Sequence, residues 1–162
     1  MMRRTVLAGL MAVSLTALAG CGFQLRGLNQ PTLAIPELNL NANVSPFSEE
    51  VRRALENAGT RISDTADIRL NLGDERISEN RLTRSDSGSR ETEVTLTAPF
   101  SVQRESDDAY LLNQQQLEAS TTVLLSTDDI YSGEEVRNEA IRQLRRDAAT
   151  QLIDRLDALE TP

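Results

Sequence analysis

The sequence predicts an α+β fold: a two-layer sandwich with a mainly antiparallel four-stranded sheet and two helices packed on one of its faces, in the order β-α-β-β-β-α. Three observations predict it. Val94, Leu96, Ala98, Phe100 and Val102 form the longest clean apolar alternation in the chain, the mark of a half-buried strand. A second alternation runs through Leu117, Ala119, Thr121, Val123 and Leu125. Two stretches instead repeat apolar residues at helical spacing, one near residue 50 and one near the C-terminus.

The chain opens on Met1 to Arg4, with Arg3 and Arg4 basic, and continues without charge from Thr5 to Ala17. A basic start, an apolar run of about 7–15 residues and a small-residue exit predict an export signal. The run is too short for a bilayer of roughly 30 Å, which needs about 20 apolar residues. It ends at Leu18-Ala19-Gly20-Cys21, which resembles the bacterial lipobox. The resemblance implies that the Cys21 thiol takes a diacylglyceryl group, that the chain is cut before it, and that the new amine is acylated. An ordinary signal with a chance cysteine is the alternative; Cys21 is the single cysteine and stands where lipidation needs it. Each buried CH₂ is worth about 0.8 kcal/mol and one acyl chain binds only marginally, so several chains on one residue make a stable anchor. Gly22 follows, in place of the Asp found in lipoproteins kept at the inner membrane, which implies the outer membrane. Residues 1–20 are then a lipoprotein signal peptide, 21–31 a tether and 32–162 a single α+β domain. Phe23 and Leu25, within the tether, suit either the membrane surface or the sheet.

In the domain, residues 32–41 read as a strand whose phase changes at Pro36, between Leu33 and Ile35 on one side and Leu38 and Leu40 on the other. That predicts a bulge or an edge position. The first helix has Ser45 as N-cap, Pro46 at its first position and Gly59 as its left-handed stop. Phe47, Val51, Ala54, Leu55 and Ala58 form its buried stripe, and Glu49 and Glu50 suit the positive end of its dipole. Ile68, Leu70 and Leu72 start a second strand that runs, polar-faced, to about Leu82, with a break in phase at Gly73-Asp74-Glu75. Ser85 to Ser89 is a turn cluster. The strand through Val94 follows; Asp107-Asp108 turns the chain into a fourth strand from about Tyr110 to Leu125. These three strands read as an antiparallel meander.

The last helix is predicted from a Ser132-x-x-Glu135 capping box to about Leu159, roughly 40 Å at 1.5 Å per residue. Val136, Ala140, Leu144, Ala148, Leu152 and Leu156, with Ile141, Ile153 and Leu159, form its apolar face. Its remaining surface mixes both charges, unlike the basic face of a membrane-lying helix, so it is expected to pack on the sheet.

Composition narrows the function. The full chain carries −8, and removal of Arg3 and Arg4 with the leader makes it −10. Nucleic acid, whose phosphates demand basic surface, is excluded as a partner. There is no His, and every one of the 17 basic residues is Arg. Without His or a free Cys, most metal sites and nucleophile–base pairs lose their usual members, so no cofactor is expected. The all-Arg usage fits codon bias, and it also fits bidentate recognition of phosphate or sulfate.

At Cys21-Gly22-Phe23-Gln24-Leu25-Arg26-Gly27 the chain resembles the start of the LptE family of lipopolysaccharide-assembly lipoproteins. The resemblance continues through the helix at Ser48 to Leu55, the meander and the helix from Glu135 to Leu156. It implies a non-enzymatic plug: a lipoprotein inside the large outer-membrane β-barrel LptD, which helps that barrel assemble and binds lipopolysaccharide on its way to the outer leaflet. A hydrophilic domain on a short tether suits a polar barrel lumen. The family engages lipopolysaccharide phosphates through basic residues near the turn between strands two and three and near the final helix. Arg76, Arg81, Arg84 and Arg90 surround that turn, with Arg84 the best match; the second basic position falls near Glu134-Glu135. Solvated or barrel-contacting arginines are the alternative for the same residues.

A free-standing lipid- or glycan-binding lipoprotein without a barrel is the competing function. Glu91 and Glu93, two apart on one strand face, are the nearest approach to an acid–base pair, and that spacing is ordinarily solvent-facing. The chain is expected not to be an enzyme.

Overall fold

Six strands and two helices make up the described residues, 33–82, 89–126 and 130–159, of this computed structural model. The predicted leader, Cys21 and the tether lie outside them, as does Arg84. In chain order the elements are β1 (Glu37–Ala42), α1 (Pro46–Asn57), β2 (Arg61–Ile62), β3 (Ile68–Leu72), β4 (Arg76–Arg81), β5 (Ser89–Arg104), β6 (Tyr110–Ser126) and α2 (Ile130–Asp157). The α+β class and the two helices match the expectation from sequence. The sheet does not: it has six strands and is mixed, and it curls as a half-barrel.

The parallel part comes from β1. It pairs with β2 on one side and β3 on the other, both parallel, because a helix carries the chain back between them. Instead of an edge or bulged strand at Pro36, the chain makes an extended lead-in with Leu33 and Ile35 buried, and β1 begins after the proline. The Pro36 carbonyl accepts from Arg61 N–H at 2.9 Å.

The long second strand of the sequence reading is β3 and β4, laid end to end along one edge of β5. Leu72 faces Phe100 and Arg76 faces Thr97, so four residues on one strand span three on the other. This bulge explains the break in phase: Leu70 and Leu72 are buried before it, and half-buried Ile77 has the opposite parity after it. Pro99 lies opposite. Proline has no N–H for a ladder and is tolerated mainly at edges and bulges. Its carbonyl accepts from Gly73 N–H at 2.9 Å, and its nitrogen on the same side meets the irregular backbone, where no ladder bond is needed. β6 pairs with the other edge of β5, with register shifts between Phe100 and Gln103 and a left-handed Gln114 (φ 47°).

Helix α1 has the predicted ends. Ser45 Oγ accepts from Ser48 N–H at 3.1 Å, and Ser48 Oγ accepts from Ser45 N–H at 2.9 Å. At the other end Thr60 N–H reaches the Leu55 carbonyl and Gly59 N–H the Glu56 carbonyl, with Gly59 at φ 86°. Those two bonds are a Schellman stop. Helix α2 begins at Ile130, so Ser132 lies inside it rather than capping it. A Ser-x-x-Glu pattern is compatible with a helix interior, and Gly133 is tolerated there at a cost of about 1 kcal/mol.

One core joins the layers. Val94, Leu96, Ala98, Phe100 and Val102 of β5 are buried as their alternation predicts, against Leu144, Ala148, Leu152 and Leu156 of α2 and Phe47, Val51 and Leu55 of α1. The predicted stripe on α2 holds from Ala140 onward; Val136 is 41% exposed. The sheet's curl ties α2 to both margins: Gln151 Nε2 donates to the Glu118 carbonyl of β6, while Arg145 reaches Glu75 at the β3–β4 bulge.

Candidate functional site

The arginines singled out from the sequence do not form one cluster. Arg76 pairs with Thr97, which alternates with the buried Leu96 and Ala98, so Arg76 is on the outward face of the sheet. Arg81 pairs with Thr92, which is buried on the inward side. Arg90 lies two residues before Thr92 and shares that side, opposite Leu125 of β6. Arg81 and Arg90 are therefore diagonal neighbours across two strands, roughly 7–8 Å apart at the backbone. Both stand where the β4–β5 connection begins and ends.

A third guanidinium joins them from α2. Arg137 donates to Glu79, two residues before Arg81 on the same side of β4. The sequence reading placed the second basic position near Glu134-Glu135; both glutamates are exposed in the second turn of α2, and Arg137 is the basic residue that reaches the sheet. Its signal in the sequence was weak, one of five arginines in a mixed-charge helix. Only the curl of the sheet brings β4 within its reach.

Apolar groups accompany these charges. Tyr131 and Val136, in the first turns of α2, are 90% and 41% exposed, whereas Leu82 and Leu124, 48% and 60% exposed, stand on the outward side of the adjacent strand ends. Glu91 faces Leu124 and Glu93 faces Thr122 on the outward side of β5, so the pair considered for acid–base chemistry lies on an open strand face. Among the described residues no group of three or more His, Cys, Asp or Glu is placed to hold a metal ion. No described helix is long and apolar enough to cross a membrane.

Further along α2 the charges are paired. Arg142 and Arg146 both donate to Glu139 and hold its carboxyl below its ordinary value, the Arg142 hydrogen bond contributing most. Arg145 and Glu75 form the most enclosed ion pair of this face.

The profile of the family described as LptE, lipopolysaccharide-assembly, matches residues 31–156. Several solved lipoproteins share the fold. Rare lipoprotein B from Shewanella oneidensis superposes with a TM-score of 0.66 at 18% identity, over 76% of this chain and 96% of that one. A minor lipoprotein from Acinetobacter baumannii gives 0.64 at 16%, over 78% and 93%. Lipoprotein B from Nitrosomonas europaea gives 0.63 at 18%, over 85% and 91%. A search of curated protein sequences finds no match.

Proposed function

This chain belongs to the LptE family of lipopolysaccharide-assembly lipoproteins, and from that premise we propose that it is an outer-membrane lipoprotein that plugs and helps assemble the LptD barrel and binds lipopolysaccharide for delivery to the outer leaflet. Lipids on Cys21 hold it to the periplasmic side of the membrane.

The observation that carries the ligand-binding part is the convergence of Arg81, Arg90 and Arg137 from three elements onto one end of the inward face. Guanidinium groups present planar pairs of donors that suit phosphate oxygens. The exposed Tyr131 and Val136 beside them supply apolar surface for the lipid part of an amphiphile. Arg84 joins this set on the strength of the family resemblance, and Arg76, on the other face, is assigned a separate contact.

Two measurements test the reading. A C-terminally tagged chain, solubilised in detergent from outer membranes, is expected to bring down a large β-barrel in stoichiometric amount. An unrelated domain on the same lipid anchor is expected not to. Separately, the Arg81→Glu, Arg90→Glu double variant is expected to lose affinity for lipopolysaccharide about tenfold or more while keeping its circular dichroism. Unchanged affinity in a folded variant removes the arginine pair from the site; a tagged chain that comes down alone removes the barrel.

A further inference from the structure

On the outward face, away from Arg81 and Arg90, the ends of β1 and β3 and the bulged parts of β5 and β6 enclose an open groove of about 480 Å³. Its lining is unusual for this chain. Charged residues are 26% of the sequence, yet none of the twelve residues lining the groove is Asp, Glu or Arg. What lines it is amide: Asn41, Asn43, Asn71, Asn113 and Gln114, with Ser101 between them.

Three of these amides, Asn41, Asn43 and Asn71, are held by neighbouring side chains. Asn41 Nδ2 donates to Asn71 Oδ1 at 2.8 Å, and Asn71 Nδ2 donates to Gln103 Oε1 at 2.8 Å and Ser101 Oγ at 3.3 Å. At the rim Asn43 Nδ2 donates to Asp74 at 3.0 Å. Each carboxamide carries two donor hydrogens and an acceptor oxygen with two lone pairs, so these bonds leave capacity facing the groove. At Asn41, Asn43 and Asn71 the rotamers are already fixed, so a ligand meets them without the usual ordering cost. Two rings complete the lining: the puckered ring of Pro99, exposed opposite the bulge, and the flat ring of Tyr110, 55% exposed at the start of β6.

The chemistry selects a ligand class. With no lining charge, a phosphate or a metal ion has no counter-charge here, and the apolar area is too divided for a lipid tail. A hydroxyl-rich, uncharged molecule matches on both counts. Each hydroxyl both donates and accepts, as an amide does, and the C–H face of a sugar ring stacks on an aromatic face. We propose that this groove is a saccharide-binding site, with Asn41, Asn71, Asn113 and Gln114 as hydrogen-bonding groups and Tyr110 as the stacking platform. The site goes beyond the phosphate-directed reading of the arginine end and does not depend on it.

Two sugar sources in a bacterial envelope share this chemistry, and the test separates them. The full mature chain is purified in a detergent without a sugar head group, such as lauryldimethylamine oxide, and labelled with nitrogen-15. One sample is titrated with a neutral O-chain oligosaccharide cleaved from lipopolysaccharide, the other with chitohexaose as a neutral surrogate for the glycan of peptidoglycan. The expected result is saturable movement of the Asn41, Asn71, Asn113 and Gln114 side-chain NH₂ signals with one of the two, which also identifies the source. Tyr110→Ala and Asn113→Ala, both at exposed positions, are each expected to weaken that binding about tenfold with the remaining spectrum unchanged. The proposal is overturned if neither sugar moves these signals at millimolar concentration, or if both variants bind as tightly as the parent.

Discussion

Arg145 of α2 grips the Glu75 carboxylate at the β3–β4 bulge through three hydrogen bonds of 2.6 to 3.0 Å. Their side chains are only 21% and 14% exposed. Glu75 and Arg145 are 70 positions apart in the chain, so this contact fixes where the sheet's β3–β4 margin meets α2.

Removing one partner leaves the other largely enclosed and unpaired, which costs more than the pair itself contributes. Glu75→Ala is expected to destabilise the domain by about 2–3 kcal/mol, read from urea unfolding. Removing both charges with Glu75→Gln and Arg145→Met should recover part of that loss. A double variant less stable than the sum of the singles contradicts a direct pair.

Gly73 is required by close approach. A Cβ built there would lie 2.7 Å from Pro99 Cγ, well inside van der Waals contact. Gly73→Ala is expected to cost about 1–3 kcal/mol, and Pro99→Ala in the same chain should relieve most of it. Equal cost in both backgrounds would mean that the proline ring is not what Gly73 avoids.

The ends of α1 make a local test. Ser45→Ala removes the acceptor for Ser48 N–H and is expected to cost about 1 kcal/mol. Gly59→Ala forces a side chain into φ 86°, with a similar loss of about 1 kcal/mol. These sites are at opposite ends of the helix and share no hydrogen-bond partner, so thermal or chemical unfolding of the double variant should show near-additive losses.

Glu139 supplies the pH dependence. Its carboxyl titrates below its ordinary value of 4.5, first because of the Arg142 hydrogen bond and then that of Arg146. A carboxyl depressed in the folded state contributes stability above the ordinary carboxylate range and loses it as pH falls through the folded value. The group is fully exposed, so the effect on stability is small, and the direct readout is an NMR titration. Arg142→Ala is expected to move the Glu139 midpoint upward; an unmoved midpoint would assign the depression elsewhere.

Where a physical signal is local, the sequence was legible. The caps of α1 are short-range bonds among Ser45, Ser48, Leu55, Glu56, Gly59 and Thr60, and residue types at fixed spacing specify them. The buried faces of β5 and α2 follow from periods of two and about four residues, and all five alternating β5 residues from Val94 to Val102 are buried. The break in phase at Gly73-Asp74-Glu75 was visible too, since a bulge inverts the parity of everything after it. The start of α2 was misplaced because Ser132-x-x-Glu135 fits either a helix start or its interior.

By itself, then, the sequence determined the class of fold, the limits of α1 and β6, the apolar faces of β5 and of most of α2, and the family resemblance. Tertiary structure decided which elements meet. No residue pattern in β1 states that it lies parallel to both β2 and β3; that follows from the path of α1 between them. The odd spacing of Arg76 and Arg81 puts them on opposite faces of one strand, but which of them turns inward depends on register with β5. The pairing of Arg137 with Glu79, and the gathering of scattered amides into one uncharged groove, are long-range in the same sense. They arise from the curl and bulges of the sheet, where backbone hydrogen bonding and burial across distant segments set the geometry.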